Sequence, residues 1–207
     1  MIPVVTTALR TAGVVLCGGQ SSRMGRPKAW LPFGGETMLA RVVRLLSEAV
    51  APVVVVAAPG QDVPELPPEV AVVRDPERGR GPLQGLAAGL EALRGQADAA
   101  YLSSCDVPLL QPAFVRRLIE LLGEHDIAVP EVGGYRHPLA AVYRLEVADI
   151  AARLLAEDRL RPAFLFDEAR TRLVRPEELA DVDPDFRSLR NLNTPAEYEE
   201  ALRAAGA

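Results

Sequence analysis

The chain has 207 residues, of which 49% are hydrophobic and 25% charged, with a formal net charge of −5. That much apolar side chain excludes global disorder, and a chain of this length buries about 70% of its extended surface without a disulfide or metal staple. The acidic balance argues against broad binding to nucleic acid or an anionic membrane. Two cysteines, Cys17 and Cys105, make a poor disulfide framework and imply a reducing, cytoplasmic setting.

A strand over 13–16 runs into a glycine- and serine-rich loop, 17–27. Thr37 can N-cap a helix running to Val50, with Met38, Leu39, Val42, Val43, Leu45, Leu46 and Val50 on its apolar face. The β-branched run 53–58 reads as a strand buried on both faces, and a Pro-rich surface loop, 61–68, leads to a strand over 70–73. Pro82 and Gly95 bracket the next helix, Pro112 and Gly123 another, with a strand over 99–103 between them. A strand over 127–129, a Gly133-Gly134 hairpin turn and a strand over 139–143 follow. Helices over 147–157 and 162–168, then a weak strand over 172–174, complete the pattern. Thr194, Pro195 and Glu197 spell a capping box for a last helix. This alternation predicts an α/β chain, a single-domain doubly wound, mostly parallel sheet with no linker and no internal repeat. No apolar run approaches the length of a membrane span, and the first residues lack the basic region and cleavage site of a signal peptide.

Composition directs attention within this frame. Of the 23 basic residues, Lys28 is the one lysine, and Asn191 and Asn193 are the two asparagines. Where a chain avoids a residue type, the positions that keep it are the first to inspect. Lys28 closes the run Leu16-Cys17-Gly18-Gly19-Gln20-Ser21-Ser22-Arg23-Met24-Gly25-Arg26-Pro27-Lys28. A glycine-rich loop after a first strand can cradle phosphate oxygens with its N–H groups, and Arg23 and Lys28 add positive charge. The spacing is neither a Walker A loop nor GxGxxG.

Asp106 ends the 99–103 strand, where it can ligate Mg²⁺ beside substrate phosphates or merely cap a loop. Asp75, just past the strand over 70–73, is a second candidate near a nucleotide, or a turn residue. Gly81, Pro82 and Leu83 open a helix whose N-terminus can receive a ligand's anionic groups; a tight helix start is the plain alternative. The amides of Asn191 and Asn193 can orient a phosphate, although asparagine also suits turns. His137 and Arg136 are weaker candidates for substrate contact, Cys17 and Cys105 read as small buried fillers, and Trp30 suits either core or cleft wall. No GxSxG elbow or HExxH pair occurs.

The segment LCGGQSSRMGRPKAWLPFGGETML resembles the signature of the molybdopterin nucleotidyltransferases, roughly LAGGxSxRMGxxKxxLxxxGxxLL. The likeness continues in family order at Asp75, at Gly81-Pro82-Leu83-Gln84-Gly85, at Cys105-Asp106-Val107-Pro108, at His137-Pro138 and at Asn191-Leu192-Asn193-Thr194-Pro195. The resemblance implies a Rossmann-like nucleotidyltransferase fold that joins GTP to the molybdopterin cofactor and releases pyrophosphate. It also implies Mg²⁺ as cofactor and other proteins of molybdenum cofactor biosynthesis as partners; the charge and hydropathy add the expectation of no nucleic acid and no membrane. By that likeness Leu16, Cys17, Gly18 and Gly19 hold the nucleotide, Lys28 meets its phosphates, Asp75 binds the guanosine portion and Asp106 ligates Mg²⁺. Asn191 and Asn193 then face the pterin phosphate. The double glycine after Cys17 favours guanine over cytosine. Against it, guanylyl members often place an asparagine after the second strand, where this chain has Ala57-Ala58-Pro59. Cytidylyl transfer, sugar-phosphate activation and a non-catalytic nucleotide-binding role are the alternatives.

Overall fold

The structure, a computed structural model, describes residues 9–18, 26–77 and 79–206. In chain order its elements are β1 (Thr11–Leu16), β2 (Pro32–Phe33), β3 (Glu36–Thr37), α1 (Met38–Ser47), β4 (Val53–Ala57), β5 (Ala71–Arg74), α2 (Pro82–Ala92) and β6 (Ala99–Ser104). There follow α3 (Pro112–Leu122), β7 (Ile127–Val132), β8 (Tyr135–Arg136), β9 (Ala141–Arg144), α4 (Val147–Ala156), α5 (Leu165–Glu168), β10 (Thr171–Val174) and α6 (Pro195–Ala205).

Strand β1 lies at the centre of the sheet, whose order is β10-β7-β9-β6-β1-β4-β5, with β8 paired to β7. It pairs in parallel with β4 on one side and β6 on the other, and β5 extends the sheet in parallel beyond β4. Successive side chains of a strand point to opposite faces. Val15 and Val55 therefore meet Leu46 and Phe114 under α1 and α3, while Val14 and Val56 meet Leu86 and Leu154 under α2 and α4. Burial on both faces explains why β4 reads as an unbroken apolar run. The mostly parallel expectation holds, with one antiparallel insertion. Strand β9 lies between β6 and β7 and runs against both. The Gly133-Gly134 turn, with positive φ angles of 62° and 79° that suit glycine, joins β7 to the short β8 rather than directly to the strand expected over 139–143.

The clearest differences from the sequence reading lie in two helices. Helix α1 stops at Ser47 rather than Val50: the chain turns there, with the N–H groups of Ala49 and Val50 both on the Leu46 carbonyl, and Val50 is buried from that turn. The helix expected over 162–168 is a 3₁₀ turn, Pro162–Phe164, followed by the short α5. Strand β5 is an exposed edge, with Val72 open to solvent.

Two features aim the structure at one crevice. From β1 the chain proceeds to β4 and β5 on one side, then crosses to β6 on the other, so the sheet has its topological switch beside β1. Helix α2 then packs closely on β1: a Cβ added at Gly89 would meet Val14 Cγ1 at 2.5 Å, and one at Gly85 would meet Leu16 Cδ2 at 3.0 Å. A third apolar cluster, with Phe33, Met38, Leu109, Leu192 and Ala201, folds the C-terminal segment back to the ends of the strands. Among the described residues no helix is long and apolar enough to cross a membrane.

Candidate active site

A cleft of about 1160 Å³ opens at the carboxyl ends of β1, β4 and β6, large enough for more than one small ligand. At one end of it a polar cluster gathers from three separate segments. Lys28 enters from the 3₁₀ turn after the glycine-rich loop, and its Nζ donates to Asp106 Oδ2 at 2.7 Å and to Asn193 Oδ1 at 2.8 Å. Asp106 follows β6 and is held from behind: its Oδ1 accepts from Ser104 Oγ at 2.6 Å and from Asn191 Nδ2 at 2.7 Å. The side chains of Lys28 and Asp106 are only 16% and 12% exposed. Low local dielectric strengthens such a pair and makes either charge costly without a partner.

The asparagines divide the work. Asn191 spends its amide N–H groups on Asp106 and Ser104, so it orients the carboxylate. Asn193 turns its side-chain carbonyl to Lys28, and among the described residues its amide nitrogen makes no hydrogen bond. Glu197 Oε2 fixes the segment by accepting from the backbone N–H of Asn193 and of Thr194 at 2.7 and 2.9 Å. Those donors hold the Glu197 carboxyl below its usual range.

The opposite end is built from the β5–α2 loop. Asp75 lines the cleft, its backbone N–H bonded to the Ala57 carbonyl at 2.9 Å. Its carboxylate Oδ1 accepts from the Gln84 amide, which also donates to the Glu77 carbonyl at 2.8 Å. Gly81, with φ of 78°, and Pro82 bring the N-terminus of α2 to the cleft wall. Leu83, expected at the nucleotide, is wholly buried, and its side chain belongs to the core under α2.

Leu16, Cys17 and Gly18 line the floor. Gly19 and Arg23 lie outside the described residues, as does Gly25. Cys17 and Cys105 are buried at neighbouring strand ends, and the Cys17 sulfur together with burial pushes the Cys105 thiol up, keeping it protonated. His137 is held in the hairpin by its backbone N–H to the Pro130 carbonyl, and its ring nitrogen Nε2 lies 3.4 Å from the Val132 carbonyl. Burial lowers its pKa. Neither His137 nor Arg136 joins the polar cluster; Arg136 pairs with Glu131 and lies over Phe166. Trp30 is 47% exposed and belongs to the surface.

Three side chains went unnoticed in the sequence. Ser104 was hidden inside an apolar strand, and Gln84 inside a helix motif. Gln61 ties the loop after β4 to the end of β1: its amide donates to the Cys17 carbonyl at 2.8 Å and accepts from Ala58 N–H at 3.2 Å. A search for polar residues within otherwise apolar elements would have raised the first two.

Asp106 supplies one carboxylate, and among the described residues no group of three or more His, Cys, Asp and Glu side chains gathers to hold a metal. That donor set fits a hard divalent ion that takes its other ligands from phosphate and water.

Residues 13–171 match the model of the MobA-like NTP transferase domain. The chain belongs to the MobA-like NTP transferases. Within this family it is 36% identical over 203 residues to a Mycobacterium avium protein named "probable molybdenum cofactor guanylyltransferase", covering 95% of this chain and 98% of that one. A Mycobacterium tuberculosis protein of the same name is 38% identical, covering 89% of this chain and 90% of that one. The MobA-like fold is shared with the molybdopterin-guanine dinucleotide biosynthesis protein A of Archaeoglobus fulgidus, at a TM-score of 0.77 and 21% identity over 94% of this chain and 98% of that one. It extends to the 2-C-methyl-D-erythritol 4-phosphate cytidylyltransferase of Thermus thermophilus, at 0.68 and 18% over 94% of this chain and 98% of that one.

Proposed function

We propose that the protein transfers GMP from GTP to the molybdopterin cofactor, forming the guanine dinucleotide and releasing pyrophosphate. The observation that carries the reading is the convergence of Lys28, Asp106 and Asn193 at the switch point of the sheet, in a chain whose full-length relatives bear the guanylyltransferase name. In this reaction a terminal phosphate oxygen of the pterin attacks the α-phosphorus of GTP. The bond to the β-phosphate oxygen breaks, and pyrophosphate leaves with the electron pair. Such a step needs alignment and charge neutralisation more than proton transfer.

The roles follow from the contacts. Leu16, Cys17 and Gly18 line the nucleotide's place, with Gly19 and Arg23 continuing the loop by family resemblance. Asp75 and the start of α2 take the guanosine portion. Lys28, held in place by Asp106 and Asn193, neutralises phosphate charge. The Asn193 amide donates to the acceptor phosphate. Asp106 would hold Mg²⁺, whose charge offsets that developing on the α-phosphate and the leaving group. Ser104 and Asn191 keep the Asp106 carboxylate oriented for it.

Pyrophosphate release by the purified protein with Mg²⁺ and the molybdopterin cofactor tests the reading, with GTP compared against CTP, ATP and UTP. Release selective for GTP is expected. Preference for CTP would overturn the base assignment, and no release with any nucleotide would overturn the transfer itself.

A further inference from the structure

Gln84 is an anomaly in α2. Its neighbours along the buried side, Leu83, Leu86 and Leu90, are apolar and wholly buried, and Gln84 itself is only 5% exposed. A buried amide must find partners or cost stability. The Gln84 amide nitrogen finds two in the loop before the helix, the Asp75 carboxylate and the Glu77 carbonyl. An apolar side chain would serve the packing of α2 alone; glutamine adds two donors directed at the β5–α2 loop.

That loop needs a tether. It leaves an exposed edge strand and passes through Gly79 and Gly81, both at positive φ. The backbone of Asp75 is fixed to Ala57, but among the described residues its carboxylate has no partner other than Gln84. Asp75 lines the cleft, whereas Gln84 lies behind the wall. Glu77, Arg80 and Asp158 also border Gln84, with Arg80 within 3.8 Å of Glu77 and 3.7 Å of Asp158. Helix α2 cannot drift easily, because Gly85 and Gly89 set it hard against β1. Gln84 is thus a fixed point that holds one carboxylate oxygen of Asp75, a residue that lines the cleft.

We infer that Gln84 is a positioning residue for nucleoside recognition, orienting the Asp75 carboxylate so that it accepts hydrogen bonds from the guanosine portion of GTP. This rests on the reading of Asp75 as a nucleoside contact. The role is to set affinity: Gln84 touches neither the polar cluster at Lys28 and Asp106 nor the reacting phosphates.

The test is a double-mutant cycle on steady-state kinetics with GTP, using Gln84→Met, Asp75→Ala and the double variant. Gln84→Met keeps the length of the side chain and removes both donors. It should raise KM for GTP about tenfold, the equivalent of about 1.4 kcal/mol, with kcat nearly unchanged. Asp75→Ala should raise KM at least as much, and the double variant should be no worse than Asp75→Ala alone, because Gln84 acts through Asp75. Wild-type KM in Gln84→Met, or losses that multiply in the double variant, would overturn the inference. So would a fall in kcat accompanied by a lowered melting temperature, the mark of a purely structural role. Wild-type KM in Asp75→Ala would instead sink the underlying reading of Asp75. Should Gln84→Met fail to fold, Gln84→Glu keeps the shape and opposes a charge to Asp75; a raised KM is then expected and an unchanged one contradicts the role.

Discussion

The two ends of the cleft are built differently. At the Lys28 end, contacts join residues 78, 85 and 165 positions apart, so that end exists only once the whole sheet and the C-terminal segment have assembled. At the Asp75 end, the decisive contacts span 9 and 7 positions and lie within one loop and the first turns of one helix. The Lys28 end is largely enclosed and internally paired; the Asp75 end hangs from an exposed edge strand. Groups fixed before substrate arrives can stabilise the charge of a transition state, whereas a locally tethered carboxylate adjusts affinity. Changes to Lys28, Asp106 or the groups that hold Asp106 should therefore lower kcat, and changes at the second end should raise KM for GTP.

The largest expected effect breaks the enclosed end. Lys28→Ala and Asp106→Ala should each lower turnover by about 10²–10³ or more, with circular dichroism showing the fold retained. Wild-type-like kinetics in either would remove the distinction between the ends. The asparagines sharpen it. Asn193→Ala should raise KM for the pterin acceptor about tenfold, the loss of a hydrogen bond to a charged group. Asn191→Ala should instead lower kcat by a similar factor, because it loosens Asp106. The reverse pattern would exchange their roles.

The nucleoside end is reached through packing. Gly89→Ala forces a methyl group onto Val14, an overpacking cost of about 1–3 kcal/mol, read as a melting temperature lower by several degrees. A rise in KM for GTP larger than any fall in kcat should accompany it.

The smallest effect concerns acid. Glu197 has a folded pKa below its ordinary value, so its contribution is present at neutral pH and fades as pH falls below the usual carboxylate range. Glu197→Gln should mimic that loss at neutral pH with a modest rise in acceptor KM, and the acid dependence of that KM should flatten in the variant.

The same difference governs what the sequence disclosed. Strand β4 was legible because burial on both faces demands an unbroken apolar run, and α6 because its capping box is local. The insertion of antiparallel β9 was not, since strand order depends on partners remote in sequence. Lys28, Asp106 and the asparagines stood out through composition and position, yet their mutual bonds did not, and nothing local in Ser104 reveals that it holds Asp106. Leu83 shows the opposite error: a motif places its backbone near a ligand while its side chain faces the core. Gln84 lay inside that same motif, and only its burial beside Asp75 gives it a meaning.

The most direct measurement follows the phosphorus atoms. With GTP labelled at the α-phosphate and, separately, at the γ-phosphate, the reaction with the molybdopterin cofactor should carry the α-label into the pterin product and the γ-label into pyrophosphate. An α-label that stays in free nucleotide, or a γ-label that enters the acceptor, would contradict guanylyl transfer at the Lys28–Asp106 cluster.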